Sequence, residues 1–385
     1  MDFSLTEEQK SIRKTMRDFT ETEIVPVARE LDEKEEFPLE ILKKLYDMGI
    51  ANLAVPEKYG GSGVDSLTYV IILEELARGC AGVATSATAN SNSLALYPLI
   101  LGGSEELKEK YLIPTCENWK VAAFCLTEPN AGSDIGAIGA TAKRDGDSYL
   151  INGNKCFITN ASYADYLTVF ANVVDKEGNK KLSVFMVEAD MHGVVKGKKE
   201  KKMGLRCSNT AELFFDNVKI PAENLIGEEG DGLKLAKLTL ELSRPNVGAI
   251  SLGIAQAALD AAVAYAKERV QFGKAIASKQ GIQFMLADMS AQIDAARLLV
   301  YRASYLKDEA LKTGNYSFTR ESAIAKLYAS DAAMQVTTDA VQIFGGYGYS
   351  REYMVEKYMR DAKITQIYEG TNQIQRMIIA SELLK

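Results

Sequence analysis

The sequence predicts a mostly α protein with a central β domain, helical at both ends. Three observations lead there. Apolar residues recur every three or four positions from Thr6 to about Trp119. Between Lys120 and Asn224 that period gives way to short β-branched and aromatic runs separated by turn residues. Beyond Gly230 helical spacing returns and persists through long alanine-rich stretches. A chain of 385 residues is also too long for one core, so the zones read as domains: 1–119, 120–228 and 229–385.

In the first zone, Met1-Asp2-Phe3-Ser4-Leu5-Thr6-Glu7-Glu8 reads as an acidic helix start with Thr6 as N-cap, not as a secretory leader. That reading puts the mature start at Met1 and the protein in the cytoplasm. The next helical patterns are Ile41, Leu42, Leu45, Tyr46 and Met48, then Val70 to Leu76, punctuated by Pro38, Pro56 and Gly60-Gly61-Ser62-Gly63.

The middle zone holds strand-like runs at Tyr149–Gly153, Tyr166–Phe170, Leu182–Val187 and Glu212–Phe215, with turns at Asp145-Gly146-Asp147 and Glu177-Gly178-Asn179. Their even spacing predicts a small antiparallel barrel or sandwich. No GxGxxG follows a strand, which weighs against a Rossmann fold. In the last zone Gly253 to Arg269, Ile282 to Leu306 and Ser322 to Gln342 exceed an ordinary globular helix and predict an antiparallel bundle. Ala255, Ala258, Ala261 and Ala262 make one face small enough for close helix packing, within or between subunits.

Composition removes several classes of function. Hydrophobic residues at 47% and charged residues at 25% are globular values, which disfavours disorder, and no apolar run is read as long enough for a membrane span. A net charge of -7 argues against nucleic acid as a partner. The basic cluster Lys196 to Lys202 reads as a solvated loop or a local anion contact. Cys80, Cys116, Cys125, Cys156 and Cys207 lack CxxC spacing and read as reduced thiols, without disulfide or zinc site. His192 is the single histidine, so no histidine-based metal cluster or triad is expected, and no metal site is read in the chain.

Five constellations carry possible chemistry. Asp361 to Arg376 reads as a polar turn wedged between two helical segments, with Glu369 between Tyr368 and Gly370. The glycine lets backbone pass close to a ligand while the carboxylate faces a cleft, which makes Glu369 a candidate general base; the competing reading is a glutamate that caps or solvates a helix start. Phe124-Cys125-Leu126-Thr127-Glu128-Pro129-Asn130-Ala131-Gly132-Ser133-Asp134 offers backbone N–H groups and hydroxyls to an anion such as a pyrophosphate or a flavin edge, or is an ordinary turn. Cys156-Phe157-Ile158-Thr159-Asn160 puts an aromatic and a threonine on one strand, to stack on and bond a ring or to fill a core. Arg269-Val270-Gln271-Phe272-Gly273-Lys274 closes a long helix, where cations meet phosphates or complement the macrodipole. Gln342-Ile343-Phe344-Gly345-Gly346-Tyr347-Gly348 carries paired glycines, a helix cap or a close approach to a ligand.

Together and in this order, these motifs resemble the acyl-CoA dehydrogenase family over essentially the whole chain. The matching residues are Leu126-Thr127-Glu128-Pro129 with Ala131-Gly132-Ser133-Asp134, Ile158-Thr159-Asn160, Arg269 with Phe272-Gly273, Gln342 with Gly345-Gly346, and Tyr368-Glu369-Gly370-Thr371. The resemblance implies an N-terminal α-helical domain, a middle β-barrel or sandwich and a C-terminal four-helix bundle. It implies non-covalent FAD and oxidation of a short- to medium-chain acyl-CoA to the trans-2-enoyl-CoA, with electrons passed to an electron-transferring flavoprotein. Glu369 becomes the base that removes the α-proton while the β-hydride passes to the flavin. An α-proton of a thioester is too weakly acidic for a free carboxylate, so such a base needs a raised pKa and a stabilised enolate.

By the same resemblance, Phe124, Leu126, Thr127, Gly132 and Ser133 lie along the flavin ring and pyrophosphate, with Phe157 and Thr159 covering the isoalloxazine. Phe157 stands where many relatives have tryptophan. Arg269, Gln271, Phe272, Gln342, Gly345 and Gly346 reach the FAD of a neighbouring subunit, and Thr371 and Gln373 its adenosine side, which implies a homotetramer built as a dimer of dimers. Ser133, Glu241, Leu242, Ser243, Arg244, Tyr368 and Gly370 match positions that contact the acyl-CoA. Glu241 to Pro245 and Lys202 to Ser208 look like the medium-chain branch, whereas Asn90-Ser91-Asn92-Ser93-Leu94, expected near the pocket floor, equally suits short chains. The same site run backwards would make an enoyl-CoA reductase for crotonyl- or aryl-acrylyl-CoA, in a complex with its electron-transferring flavoprotein. The further alternatives are a flavin oxidase or nitroalkane-type enzyme and a non-catalytic scaffold of the same fold.

Overall fold

In a computed structural model of the chain, which describes residues 4–92 and 94–385, the first helix forms where the sequence places it. Helix α1 (Glu7–Phe19) opens on a capping box: Gln9 N donates to Thr6 Oγ1 at 3.1 Å and Thr6 N to Gln9 Oε1 at 3.2 Å. It is followed by α2 (Ala28–Lys34), α3 (Leu39–Asp47), α4 (Ser66–Ala87), α5 (Tyr97–Gly102) and α6 (Glu105–Asn118). Asp65 caps α4 by accepting from Thr68 N at 2.8 Å, and nearly every residue of that helix is buried.

The strands are β1 (Ala122–Cys125), β2 (Thr141–Asp145), β3 (Ser148–Thr159), β4 (Tyr166–Val174), β5 (Lys180–Glu188), β6 (Val194–Lys199), β7 (Thr210–Pro221) and β8 (Leu225–Ile226). They form one sheet in the order β6-β7-β3-β2-β4-β5-β8, with β1 also beside β4. The wholly antiparallel expectation needs correcting, because β1 and β2 both run parallel to β4. The β2–β3 hairpin lies between β1 and β4 in the chain and supplies the long crossover that parallel pairing requires. The basic cluster is not a free loop either. Lys196 lies on β6 and donates to the carbonyls of Ser162 and Ala164, while Lys202 donates to that of Ser208.

The last zone contains α7 (Gly232–Glu268), a hairpin of β9 (Val270–Gln271) and β10 (Lys274–Ala275), then α8 (Gln280–Thr313), α9 (Thr319–Phe344), α10 (Val355–Thr365) and α11 (Asn372–Leu383). Helix α7 is longer than its alanine-rich half suggests, because Pro245 does not end it. Proline leaves the Glu241 carbonyl without its helical donor, and Ser322 Oγ of α9 donates to that carbonyl at 2.6 Å instead. The same helix corrects the membrane reading. It contains an 18-residue window long and apolar enough to cross a bilayer, but 67% of that window is buried inside the protein. A helix enclosed by α4, α8 and α9 needs no polar face. At Gly253 an added Cβ would lie 2.3 Å from the Glu74 carbonyl oxygen, so α4 and α7 meet backbone to backbone only because the residue is glycine.

Two large cores result. One joins α1, α3 and α4 to the C-terminal helices; the other fills the sheet and its contact with α6. The N-terminal helices are thus divided between the two.

Candidate active site

The turn around Glu369 is shorter than expected. Helix α10 continues through Thr365 and α11 begins at Asn372, so only residues 366–371 turn, and both ends of the expected turn are helical. Glu369 and Gly370 are consecutive left-handed residues, with φ of 52° and 90°. Glycine takes that conformation freely, whereas glutamate does so only where the surroundings hold it. Lys326 Nζ, wholly buried on α9, donates to the Gly370 carbonyl at 2.9 Å and to Asn372 Oδ1 at 2.9 Å. Gln375 Nε2 donates to the Gly370 carbonyl at 3.0 Å, and Thr371 caps α11 by accepting from Ile374 N at 3.3 Å.

Ser243 of α7 donates to Glu369 Oε2. Burial raises the Glu369 carboxyl to about 7, against the opposing pull of Ser243, Lys326, Arg244 and Lys307. The neighbouring cations bear the same burial. Lys326 is drawn down to about 7, and Arg244 falls below the ordinary guanidinium range, both because of burial. Arg244 Nε and Nη1 are buried and have no hydrogen-bond partner among the described residues. Buried donors without acceptors suit a ligand that brings its own.

The other expected substrate contacts divide. Leu242 joins a small apolar cluster with Tyr97 and Phe318, while the Glu241 carboxylate accepts from Thr319 Oγ1 at 2.8 Å, bonded to α9 and not to Glu369. Tyr368 packs against the helical core, and Ser133 is exposed on a middle-domain loop. Asn90 bridges the domains, its Oδ1 accepting from Ala122 N at 2.6 Å. Ser93 and the side chains of Ser91 and Asn92 lie outside the described residues.

The middle-domain motifs converge beside β1 and β3. Cys156 N donates to the Thr127 carbonyl at 3.0 Å, which sets the loop of Leu126, Thr127, Gly132 and Ser133 against the strand of Phe157 and Thr159. The register of β3 on β7 shifts between Lys155 and Ile158, and within that bulge Phe157 is left-handed (φ 56°) with its residue 65% exposed. Phe124 packs edge-on against Phe170. Glu128 does not face outward. It accepts from Gly139 N at 2.6 Å, from Ala140 N at 3.0 Å and from the buried Lys155 Nζ at 2.7 Å.

A second depression, an open cavity of about 930 Å³, brings together Arg269, Gln271, Phe272, Gly345 and Gly346; Gln342 lies just outside its lining, exposed on α9. Phe272-Gly273 is the two-residue tip of the β9–β10 hairpin, with φ of 55° and 75°. Phe272 is 93% exposed. Gln373 is exposed on the first turn of α11.

Comparison with known proteins places this arrangement. The N-terminal, middle and C-terminal domain models of acyl-CoA dehydrogenase match residues 6–118, 123–218 and 230–384. The chain belongs to the acyl-CoA dehydrogenase family. A short-chain-specific acyl-CoA dehydrogenase of Megasphaera elsdenii is 49% identical, with 100% of both chains covered. The solved butyryl-CoA dehydrogenase of M. elsdenii superposes with a TM-score of 0.95 at 49% identity, again over 100% of both chains. A chain from a structure of the electron-transferring flavoprotein of Acidaminococcus fermentans, described in terms of flavin-based electron bifurcation, gives 0.95 at 47% identity over 100% of both. As an acyl-CoA dehydrogenase, the protein is a flavoprotein oxidoreductase acting on an acyl-CoA.

Several residues that shape the Glu369 turn and the middle-domain loop gave no signal in the sequence. Lys326 is one lysine in an alanine-rich helix, Lys155 lies between the recognised motifs, and Gln375, though inside the Asp361–Arg376 stretch, was given no role there. Glu128 stood in a recognised motif, and its buried partner was not legible from it.

Proposed function

We propose that this protein is an FAD-dependent acyl-CoA dehydrogenase in which Glu369 takes the α-proton of a short- to medium-chain acyl-CoA, yielding the trans-2-enoyl-CoA. The observation that carries the reading is the Glu369 carboxyl, raised to about 7 by burial yet bonded by Ser243 and flanked by Arg244, whose Nε and Nη1 have no partner among the described residues. A carboxylate with an ordinary pKa near 4.3 is a poor base for a thioester α-proton, and raising it improves the match to neutral pH. The α C–H bond breaks, its electron pair enters the thioester enolate, and the proton goes to the Glu369 carboxylate. Gly370 leaves room for the thioester, and Arg244, Ser133, Tyr368 and the Glu241–Ser243 segment form the acyl-CoA side.

The residues present fit a flavin. Phe157 offers an exposed ring on a bulge, and the space where a Cβ would stand is open at Gly132, Gly345 and Gly346. We assign Phe124, Leu126, Thr127, Gly132, Ser133, Phe157 and Thr159 to FAD in the same subunit. Arg269, Gln271, Phe272, Gln342, Gly345, Gly346, Thr371 and Gln373 are assigned to the adenosine and pyrophosphate end across a subunit interface, in a homotetramer. When bound, FAD supplies the two-electron acceptor for the β-hydride. The hairpin aromatic Phe272, 93% exposed in the single chain, supports the cross-subunit assignment. Domain limits of 1–119, 120–228 and 229–385 and a cytoplasmic location complete the reading.

Purified holoenzyme is expected to be yellow and to bleach anaerobically with saturated acyl-CoA thioesters, the panel from C4 to C12 giving the chain length. Glu369→Gln is expected to keep FAD and lose bleaching. Undiminished bleaching in that variant removes Glu369 as the base, and a colourless protein without extractable flavin overturns the reading.

The 47% identity to the chain from the bifurcating flavoprotein structure favours a second reading, reduction of an enoyl-CoA with an electron-transferring flavoprotein as partner. Copurification with two flavoprotein subunits and enoyl-CoA-dependent NADH consumption would establish it. Their absence, with rapid flavin reduction by acyl-CoA, favours the dehydrogenase direction.

A further inference from the structure

Ser243 has one hydroxyl hydrogen and two acceptors within reach. Its Oγ is hydrogen-bonded to Glu369 Oε2 and also lies 3.0 Å from the Leu240 carbonyl on its own helix. The hydrogen serves one acceptor at a time, but the oxygen can accept as well. When Glu369 is ionised, the arrangement with Ser243 donating to the carboxylate is favoured. When a proton resides on Oε2, the carboxyl O–H donates to Ser243 Oγ and the serine hydrogen turns to Leu240. In both states Oε2 keeps its partner and Oε1 is left facing away from it.

We propose that Ser243 is the positioning residue for Glu369, holding Oε2 in either protonation state by moving its own hydrogen between Glu369 and the Leu240 carbonyl. The proposal rests on the reading of Glu369 as the base. It assigns uptake of the substrate proton to Oε1, the oxygen that Ser243 does not occupy, where Ser243 keeps donating to Oε2; the serine hydrogen turns to Leu240 when the proton resides on Oε2.

No other described side chain hydrogen-bonds this carboxyl. Arg244 stands next to Ser243 on α7, and Glu241 of the same helix is engaged by Thr319. Lys326 on α9 is committed to the Gly370 carbonyl and Asn372. Lys307 on α8 lies over the Tyr97 ring, its Nζ 5.1 Å from the ring centroid. Tyr69 of α4 bonds Thr88 at 3.1 Å, and Tyr368 belongs to the turn itself. These groups act on the Glu369 charge through space, and space alone does not choose between two carboxylate oxygens. Ser243 can choose because it is wholly buried at a fixed place on α7, one residue from Arg244 and two from Pro245.

Donation to the ionised form favours that form, so removing the hydroxyl makes Glu369 harder to ionise. The test uses Ser243→Ala, Ser243→Thr and Glu369→Gln holoenzymes with butyryl-CoA in anaerobic stopped flow across pH. In Ser243→Ala the acid limb of flavin reduction is expected to move to higher pH by about one pH unit, with a plateau about tenfold lower and FAD retained. Ser243→Thr is expected to restore both. Infrared difference spectra against Glu369→Gln, without substrate, read the same carboxyl directly, and the midpoint in Ser243→Ala is expected to rise with the kinetic one. A Ser243→Ala enzyme whose acid limb and infrared midpoint match the parent overturns the proposal while leaving the base reading intact. If Glu369→Gln still reduces flavin at the parent rate, the base reading itself falls, and this proposal with it.

Discussion

Lys326 Nζ on α9 donates to the Gly370 carbonyl at 2.9 Å, which puts a wholly buried lysine under the backbone that presents Glu369. Burial acts on the two groups in opposite directions, raising the carboxyl and lowering the ammonium, and both come to about 7. The carboxyl proposed as the base and the cation beneath it therefore titrate over the same range.

The first expectation concerns pH. A raised carboxyl pKa leaves the base protonated, and so inactive, below its folded value. The kcat/KM for acyl-CoA should rise with an inflection near 7, falling about tenfold for each pH unit on the acid side. Lys326→Met removes a cation that favours the carboxylate, so its inflection should lie above that of the parent. A profile in Lys326→Met that moves to lower pH would contradict the electrostatic account.

The buried pair Lys155–Glu128 holds the middle-domain loop at 2.7 Å. Lys155→Met leaves Glu128 without its cation and should cost about 3–5 kcal/mol, read by urea unfolding, with loss of flavin from the loop. Adding Glu128→Gln should recover part of that stability. No recovery in the double variant would mean that lost packing, not the stranded charge, sets the cost.

Ser322 supplies the hydrogen bond that Pro245 denies to the Glu241 carbonyl. Ser322→Ala should therefore destabilise by about 1–3 kcal/mol, the cost of a buried unsatisfied group. In a Pro245→Ala background the backbone N–H at 245 can serve the carbonyl, and the same substitution should cost less. Equal costs in the two backgrounds, measured as a double-mutant cycle, would show that the carbonyl is not the link.

Phe272 carries its ring to the tip of a hairpin with 93% of the residue exposed. With the proposed tetramer, Phe272→Asp should lower the mass seen by native mass spectrometry toward smaller species and weaken FAD retention. An unchanged tetramer with full FAD would remove this hairpin from the interface.

Much of this protein was legible residue by residue. The Thr6 N-cap, the change from helical to alternating texture near Lys120 and back near Gly230, and the Glu369-Gly370 pair all depend on neighbours within a few positions in the chain. Local geometry imposes those patterns, so they survive in the sequence. The misreadings arose where distant residues intervene. The alanine-rich run from Gly253 to Arg269 marks only part of α7, which continues through Pro245 because Ser322 of α9 serves the Glu241 carbonyl. The middle domain read as an antiparallel barrel or sandwich, and a crossover sets β1 and β2 parallel to β4. An apolar helix is not distinguishable from a membrane span until α4, α8 and α9 are seen to enclose it.

The active site divides along the same line. That Glu369 is an acidic residue in a tight turn beside glycine is a property of adjacent residues. That its carboxyl is raised to about 7 is not, because burial raises it while Ser243 on α7 and Lys326 on α9, 126 and 43 positions away in sequence, oppose that rise. Desolvation and through-space charge depend on distance in three dimensions, and only folding brings those helices around the turn.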